Sequence, residues 1–359
     1  MTTKATTGRP DDANAERARP AGAARKVRWG VLSTANIGRA AVVPAIRGSS
    51  NGELVAVASR DLERARAFAG ANGIPEALGS YEALLDRDDV DAVYVPLPNS
   101  LHRAWTIRAA AAGKHVLCEK PLALDATECR EMAAAARDAG VRLMEAFMYR
   151  FHPRTEQVID WVRRGRLGRV GAVRSVFTFR LRSPDNIRLD PELGGGSLMD
   201  VGCYCVNVSR TLVGEEPVEA QATARWTDGG VDEAMAGILR FPSGAVAHFD
   251  CALTLERSEA YEVAGTDGQL RVPAAFLPGT DDVEIHESRG RDGARTHTVE
   301  GADEYLRMVE HFADCVLRGR EPRWSAAEAA ANMRTIAALY RSAREGGAAV
   351  PVEPDDRAG

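Results

Sequence analysis

Two charged side chains, Glu119 and Lys120, stand at the end of a short apolar run and are followed by Pro121. The run begins after Gly113 and precedes a helical pattern from Asp125, which is typical of a buried strand in a parallel sheet. Proline cannot donate a hydrogen bond within a sheet, so the strand ends where open α/β sheets bind ligands. The amine of Lys120 then points into that crevice. A surface ion pair at a strand exit explains the same residues.

A second pair, Asp200 and Tyr204, follows three consecutive glycines at 194–196. The segment to Leu212 is periodic enough for a helix, and spacing of four residues places both side chains on one face. A carboxylate and a phenol can take and give a hydroxyl proton, particularly if an ammonium lowers the pKa of the phenol from its usual value of about 10. A helix cap and a core tyrosine are the commoner roles. Met199 stands where a serine-hydrolase GxSxG elbow needs glycine.

The loop after the first predicted strand has the spacing of a dinucleotide-binding turn. Ser33, Ala35 and Gly38 occupy the three glycine positions of GxGxxG, so two glycines are missing. Small residues there still allow a pyrophosphate to approach a helix N-terminus, where free N–H groups favour anions. The predicted cofactor contacts include Ser33, Ala35, Asn36 and Ile37. A tight turn without a ligand explains the loop equally well.

The end of the second predicted strand carries Ser59 and Arg60, where an NAD enzyme would place an acidic side chain. A guanidinium cannot accept a hydrogen bond from a ribose 2'-hydroxyl, but it can bind a 2'-phosphate, with Ser59 as a further donor. This pattern favours NADP over NAD. The alternative is a solvated arginine at the start of the next helix.

The exit of the third predicted strand is made rigid by two prolines, of which Pro96 is the first. Asn99 can cap the following helix while bonding a ribose or a carboxamide. His102 lies in the first turn of that helix. It belongs either to the cofactor pocket or to the packed or solvated residues of the helix.

Alternating strands and helices must position these residues. Strands are predicted at 27–32, 54–58, 90–95 and 115–119, and helices at 38–47, 61–71, 100–112 and 125–139. This order predicts an α/β fold with a doubly wound parallel sheet. After Phe151 the pattern alternates instead, at 173–181, 218–226, 234–241, 245–255 and 261–264, and helices are predicted at 305–318 and 326–344. These segments predict an α+β domain with a large, mostly antiparallel open sheet.

The predicted organisation is a disordered arm at 1–25, an NADP-binding domain at 26–147, a substrate and oligomerisation domain at 148–345 and a flexible tail at 346–359. A net charge of -5 gives no reason to expect nucleic acid as a partner. No apolar run reaches the roughly 18 residues of a membrane span. The first 25 residues lack the apolar stretch of a secretion signal, and the six cysteines show no CxxC spacing. We therefore expect a cytoplasmic protein without a structural metal.

The chain resembles the Gfo/Idh/MocA family of sugar and cyclitol oxidoreductases from about Val27 to Glu345. The most specific motifs are Glu-Lys-Pro at 119–121 and the glycine-rich segment 194–204, supported by Asn-Ser-Leu-His at 99–102 and Glu-Ala-Phe-Met-Tyr-Arg-Phe-His-Pro at 145–153. The resemblance implies an N-terminal Rossmann domain that binds NADP. It adds Glu119, Lys120 and Arg150 to the cofactor-binding residues.

The resemblance also implies hydride transfer between a substrate carbinol carbon and C4 of the nicotinamide. Lys120 would bond the reacting oxygen and hold Tyr204 acidic, Tyr204 would exchange the proton, and Asp200 would orient the sugar hydroxyls or Lys120. Within the family the chain is similar to NADP-dependent aldose 1-dehydrogenases, glucose-fructose oxidoreductase and dimeric dihydrodiol dehydrogenases. These have tyrosine at the position of Tyr204, where inositol dehydrogenases have histidine.

Three functions stay open at this point. The first is an NADP-dependent oxidation of an aldose such as xylose or glucose at C1. The second is an NADPH-dependent reduction of a ketosugar or a dihydrodiol-type reaction. The third is a non-catalytic regulator that senses a dinucleotide, against which Lys120 and Tyr204 argue. Substrate contacts are expected from the sheet of the second domain and from the loop 182–188. The apolar alternation over 246–253 predicts a homodimer or homotetramer through the C-terminal sheet.

Overall fold

A computed structural model describes residues 25–290 and 293–354, and it contains two sheets. The first is parallel throughout and has the strand order β3-β2-β1-β4-β5-β6. Its strands are β1 (Val27–Leu32), β2 (Gly52–Ala58), β3 (Glu76–Leu78), β4 (Ala92–Val95), β5 (His115–Cys118) and β6 (Leu143–Glu145). The strand order reverses between β1 and β4, and ligands of such sheets bind outside the carboxyl ends at this place.

Helices connect the strands of the first sheet. They are α1 (Val43–Gly48), which continues a π-helical turn at Gly38–Val42, then α2 (Leu62–Asn72), α3 (Tyr81–Leu85), α4 (His102–Ala111) and α5 (Ala126–Asp138). The side chain of Asp125 accepts a hydrogen bond from the backbone N–H of Glu128 and caps α5, as its position in the sequence predicts. The Lys120–Pro121 peptide bond, just after β5, is cis.

The second sheet has nine strands in the order β14-β13-β12-β11-β7-β10-β9-β8-β15. They are β7 (Val170–Arg180), β8 (Glu219–Trp226), β9 (Asp232–Arg240), β10 (Val246–Ala252), β11 (Thr254–Gly265), β12 (Gln269–Pro273), β13 (Val283–Ser288), β14 (Ala294–Val299) and β15 (Val350–Pro351). Neighbours are antiparallel except β7 and β10, which are parallel. Helix α6 (Pro153–Arg163) precedes this sheet, and α7 (Cys203–Val213) lies between β7 and β8.

The last two helices, α8 (Glu304–Arg318) and α9 (Ala326–Arg344), contact both halves of the chain. Phe312 of α8 lies against Trp29 of β1, with 5.5 Å between the ring centroids. Glu310 accepts hydrogen bonds from the backbone and the hydroxyl of Ser50 at 2.9 and 2.8 Å. Helix α9 packs against α5 and against β8. Residues after 300 therefore complete the core around the first sheet.

The fold class predicted from the sequence is confirmed: a doubly wound parallel sheet is followed by a larger, mostly antiparallel one. The sequence pattern did not reveal β3, α3 or β6, which have only three to five residues each, nor α6, β12, β13 and β14 in the second half. The strand predicted at 245–255 is two strands, because it joins β10 to the start of β11. The tail predicted to be flexible from 346 is partly ordered, since Val350 pairs with Ala220 in the second sheet. The arm at 1–25, apart from its last residue, lies outside the described residues.

No helix in the described part of the chain has the length and hydropathy needed to cross a membrane. All six cysteines are buried and free. Within 25–290 and 293–354, no group of three or more His, Cys, Asp or Glu side chains is arranged to hold a metal ion.

Candidate active site

A cavity of about 670 Å³ lies between the carboxyl ends of the first sheet and the glycine-rich segment before α7. Many of the residues singled out in the sequence line it: Ala35, Asn36, Ile37, Pro96, Asn99, Glu119, Lys120, Asp200 and Tyr204. Residues of the loop predicted to contact substrate also line it, from Asp185 to Arg188. The cavity thus joins the loop after β1 to the residues proposed for proton transfer.

Lys120 and Asp200 form an ion pair in the wall of this cavity. The ammonium Nζ lies 3.2 Å from Asp200 Oδ1 and donates to the backbone carbonyl of Asp200 at 2.7 Å. The other carboxylate oxygen accepts from Nε of Arg188 at 2.5 Å. One carboxylate therefore holds two cations, which fixes the position of the Lys120 side chain.

The charges of Lys120, Asp200 and Arg188 stabilise one another in their ionised forms. Burial opposes ionisation of Asp200, but Lys120 and then Arg188 outweigh it and hold the pKa of Asp200 below its ordinary value. Burial also disfavours the ammonium of Lys120, yet Asp200 raises the pKa of Lys120 above its usual value. At neutral pH the group is therefore ionised, and Asp200 is a poor proton acceptor.

The ring of Tyr204 lies in an aromatic cluster beside this ion pair. Phe147, Phe177 and Phe276 have their ring centroids 4.9 to 5.3 Å from that of Tyr204. The Lys120 ammonium lies 5.1 Å from the centroid of the Tyr204 ring. The Tyr204 hydroxyl donates to Sδ of Met148 at 3.4 Å.

This environment corrects one expectation. An ammonium was expected to lower the pKa of the Tyr204 phenol, but burial raises that pKa well above its ordinary value. The Lys120 ammonium lies over the Tyr204 ring, and its charge is neutralised by Asp200. Tyr204 is therefore a protonated phenol, which can donate a proton to an oxygen that becomes basic.

The glycines before α7 let the backbone of the loop 182–188 approach closely. The N–H of Gly196 donates to the carbonyl of Arg188 at 2.9 Å, and a Cβ atom on Gly195 would lie 2.4 Å from the same oxygen. The amide of Asn99 donates to the carbonyl of Gly194 at 2.8 Å. Asn99 therefore ties the exit of β4 to the glycine segment, and the predicted capping role is wrong because Leu101, and not Asn99, is the N-cap residue of α4.

A second pocket, of about 370 Å³, lies beside the ends of β1 and β2. Its lining includes the hydroxyl side chains Ser33, Thr34 and Ser59 and the guanidinium groups of Arg60 and Arg64. This set consists of donors and cations, and suits a dianionic phosphate better than a neutral ribose edge. The pocket therefore fits the 2'-phosphate of NADP.

The carboxylate that also lines this pocket is already engaged. Asp61 Oδ1 accepts from the backbone N–H groups of Glu63 and Arg64 and caps α2. Ser33 has a φ of 137°, a conformation that favours glycine, although it is serine. The turn therefore keeps the geometry of the first glycine of the dinucleotide motif, and the Ser33 hydroxyl accepts from the N–H of Ala35 at 3.0 Å.

Glu119 lines the cavity but is directed towards the first sheet. The Tyr94 hydroxyl donates to Glu119 Oε1 at 2.6 Å, and burial raises the pKa of Glu119. Pro96 lies at the exit of β4, on the same side as Asn36. Glu119 and Pro96 thus form part of the cavity wall to which the loops after β1, β4 and β5 all contribute.

His102 does not reach either pocket, which corrects the prediction made from its position. It is fully buried, and its two ring nitrogens lie 2.9 Å from the carbonyl of Pro121 and 2.8 Å from the carbonyl of Leu97. Burial lowers the pKa of the imidazole. His102 therefore connects the chain after β4 to the chain after β5 without lining the cavity, and it supports the position of Lys120.

Arg150 is likewise a core residue and not part of the cavity wall. Its Nε donates to Asn207 at 2.8 Å, and its Nη2 donates to Glu328 of α9 at 2.6 Å. The guanidinium also lies 4.4 Å from the ring centroid of Trp324. The prediction that Arg150 contacts the cofactor is therefore corrected: it anchors α9 to the centre of the molecule.

Sequence reasoning missed Arg188 as the partner of Asp200, Arg64 as a second cation near Arg60, and Met148 beside the Tyr204 hydroxyl. Arg64 had a local signal, because it lies in the first turn of α2, four residues after Arg60, which precedes the N-cap residue Asp61. Arg188 and Met148 lie in segments that the sequence had singled out, the loop 182–188 and the motif 145–153, but nothing local showed which side chain of each reaches the site.

Comparison with known proteins agrees with this geometry. The model of the oxidoreductase family with an NAD-binding Rossmann fold, GFO_IDH_MocA, matches residues 27–147, and the GFO/IDH/MocA C-terminal domain matches residues 155–271. A D-xylose 1-dehydrogenase (NADP(+)) from Haloferax volcanii is 46% identical over 328 residues, which are 90% of this chain and 99% of the relative.

Two solved structures are also similar. An aldose-aldose oxidoreductase from Caulobacter crescentus, complexed with glycerol, is 35% identical, with a TM-score of 0.84 over 91% of this chain and 100% of the other. A 3-ketoreductase from Actinomadura kijaniata, complexed with NADP and TDP-benzene, is 32% identical, with a TM-score of 0.84 over 89% of this chain and 98% of the other.

Proposed function

Because the chain belongs to the Gfo/Idh/MocA family of oxidoreductases, we propose that it transfers hydride between NADP and a sugar carbon, and that it oxidises an aldose at C1. The observation that carries this proposal is the single cavity in which Lys120, Asp200 and Tyr204 face the loop after β1. The similarity to a xylose 1-dehydrogenase over almost its whole length supports an aldose such as D-xylose as the substrate.

Ser59, Arg60 and Arg64 would hold the 2'-phosphate, and Ala35, Asn36 and Ile37 would lie along the pyrophosphate at the start of the helix after β1. The bound nicotinamide supplies the hydride acceptor or donor.

Lys120 supplies a fixed positive charge that can bind the reacting sugar oxygen and stabilise negative charge there. Asp200 keeps that charge in place, since it binds the ammonium through both a carboxylate oxygen and its backbone carbonyl. The Tyr204 hydroxyl exchanges the proton with the sugar oxygen, since Met148 is a weak acceptor that a substrate oxygen can replace.

Carbonyl reduction is the second candidate, and the protonated state of Tyr204 favours it. A phenol whose pKa is raised by burial is ready to give a proton to a developing alkoxide, whereas the oxidation of an alcohol needs a base. For the oxidation of an aldose, Tyr204 must first lose its own proton to solvent, so that the phenolate can take the proton of the sugar hydroxyl as the hydride leaves. We therefore expect the oxidation to accelerate with rising pH and the reduction to be fastest at neutral or lower pH.

We further propose that residues 26–147 form the NADP-binding domain, that 148–345 form the substrate domain, and that the protein is a cytoplasmic homodimer or homotetramer. Exposed apolar side chains on the second sheet, Ile238 and Val246 among them, support assembly through that sheet. Light scattering at micromolar concentration tests the assembly, and a monomer would contradict it.

The reaction is tested by absorbance at 340 nm, with NADP or NAD against D-xylose, D-glucose, polyols and dihydrodiols. NADPH should form with an aldose, and a lactone should appear as the product. The reverse assay uses NADPH with ketosugars. If NADPH is consumed with ketosugars and is not formed with any aldose, the protein is a carbonyl reductase. If neither class of sugar changes the absorbance, the proposed function is wrong.

A further inference from the structure

We propose that Asp232 and Tyr340 are positioning residues: together they hold the start of the helical segment that carries Asp200 and Tyr204, and so set the place of the proton-transfer group. The effect that we expect on turnover rests on the proposed function. Neither residue lines the cavity, and they come from two different elements, β9 and α9.

Asp232 is almost completely buried and receives three hydrogen bonds. Its Oδ2 accepts from the hydroxyl of Ser197 and from the backbone N–H of Leu198, both at 2.7 Å. Its Oδ1 accepts from the hydroxyl of Tyr340 at 2.7 Å. The exposed fraction of Asp232 is 1% and that of Ser197 is 0%, so water does not compete for these bonds.

The helical segment needs such a partner because it has no cap of its own. It begins as a π-helical turn, Leu198–Gly202, and continues as α7 from Cys203; the side chain of Ser197, at its N-cap, makes no cap hydrogen bond within the segment. The first N–H groups of a helix lack partners within the helix, and a carboxylate satisfies them while complementing the positive end of the helix dipole. Asp232 does this from a strand that lies 34 residues further along the chain.

Asp232 and Tyr340, which together we call the clamp, fit closely against the backbone at Gly196. Its φ is +126°, and a Cβ atom there would lie 2.2 Å from Asp232 Oδ1 and 2.8 Å from the Tyr340 hydroxyl. The carbonyl of Gly196 accepts from the N–H of Asp200 at 3.0 Å. A shift of the clamp is therefore transmitted through Gly196 and Leu198 to Asp200 within a single helical turn.

The position of Asp200 matters twice, because Lys120 binds both its carboxylate and its backbone carbonyl. A movement of the backbone at Asp200 displaces the ammonium and the ring of Tyr204 together. Displacements of about 1 Å at a reacting group can cost on the order of a hundredfold in rate. The clamp therefore acts on sugar binding and turnover, and not on the pocket proposed for the 2'-phosphate, which lies on other elements.

The test uses Tyr340→Phe, which removes one hydrogen bond and keeps the ring, and Asp232→Asn, which replaces an acceptor oxygen by a donor. Tyr261→Phe is the matched control, because Tyr261 is buried on the same sheet and its hydroxyl has no hydrogen-bond partner among the residues that the structure describes. Hydrogen exchange by mass spectrometry, without substrate, follows the peptide that spans 196–204. Steady-state kinetics then gives KM for the sugar, and fluorescence titration gives Kd for NADP.

We expect faster exchange in 196–204 and, for Tyr340→Phe, a roughly tenfold fall in kcat/KM with a higher KM, as for the loss of a hydrogen bond to a charged group. The NADP Kd and the control should stay at wild-type values. KM does not depend on the fraction of active enzyme, so a loss of folded protein alone would not raise it.

Hydrogen exchange at the wild-type rate in both variants would refute the proposal that Asp232 and Tyr340 hold this segment. An unchanged KM with faster exchange would refute their positioning role. If the wild-type enzyme oxidised or reduced no sugar, the proposed function would fail, while the exchange data would still decide the clamp.

Discussion

Replacing Arg60 with alanine should weaken NADP binding by about tenfold and leave NAD binding unchanged. Arg60 and Arg64 both line the pocket beside β2 and are exposed to solvent. A hydrogen bond between charged partners contributes about 1.5–3 kcal/mol, and solvent exposure favours the lower end of that range. Since 1.4 kcal/mol is a factor of ten, each arginine should contribute about tenfold and the double variant about a hundredfold.

Fluorescence titration with NADP and with NAD measures this selectivity without any sugar. Arg66→Ala is the matched control, because Arg66 lies on the same helix but forms an ion pair with Glu63 and does not line the pocket. The effect should shrink as salt rises, since the Debye length falls from about 10 Å at 0.1 M to about 3 Å at 1 M. Equal losses of NADP and NAD affinity in Arg60→Ala, or the same loss in Arg66→Ala, would refute the assignment of this pocket.

Three further predictions follow from the site and its supports. Lys120→Ala or Tyr204→Phe should lower turnover by roughly two to four orders of magnitude while NADP still binds, as steady-state rates and titrations would show; wild-type turnover would contradict their roles. His102→Ala should lower the melting temperature, because the neutral imidazole donates one hydrogen bond to a buried carbonyl, which alanine leaves without a donor. NADP Kd should stay near the wild-type value, and an unchanged melting temperature would contradict this. The hydrogen bond from Arg166 lowers the pKa of Glu287 to about 2, so its contribution to stability is present above the ordinary value of 4.5 and is lost as the pH falls towards 2. Glu287→Gln should therefore flatten the acid side of a plot of unfolding free energy against pH, and an unchanged slope would contradict this.

The parts of the site that the sequence revealed are those whose signal is local. Lys120 follows a short apolar strand, and Arg60 follows another, so the alternation of strands and helices is enough to bring both to the carboxyl edge of one sheet. The same reasoning placed Asp200 and Tyr204 one turn apart. In each case the informative residues lie within a few positions of a recognisable element end.

The parts that the sequence did not reveal depend on contacts between distant segments. Arg150 looked like a cofactor ligand because of its motif, but its partner Glu328 is 178 residues away. Asp232 gave no signal, since its bond to Leu198 requires the second sheet to pack against the start of α7. The pKa of Tyr204 was expected in the wrong direction, because the three phenylalanines that pack around it come from separate segments of the chain.

The packing of Phe312 against Trp29 has a consequence for how the chain is made. Residue 318, the end of α8, leaves the ribosome about 170 residues after the last strand of the parallel sheet. At 5–20 residues per second, this delay is on the order of ten to thirty seconds. During that time the face of β1 that receives Phe312 is without its cover, so the nascent first half is the stage at which a chaperone would bind.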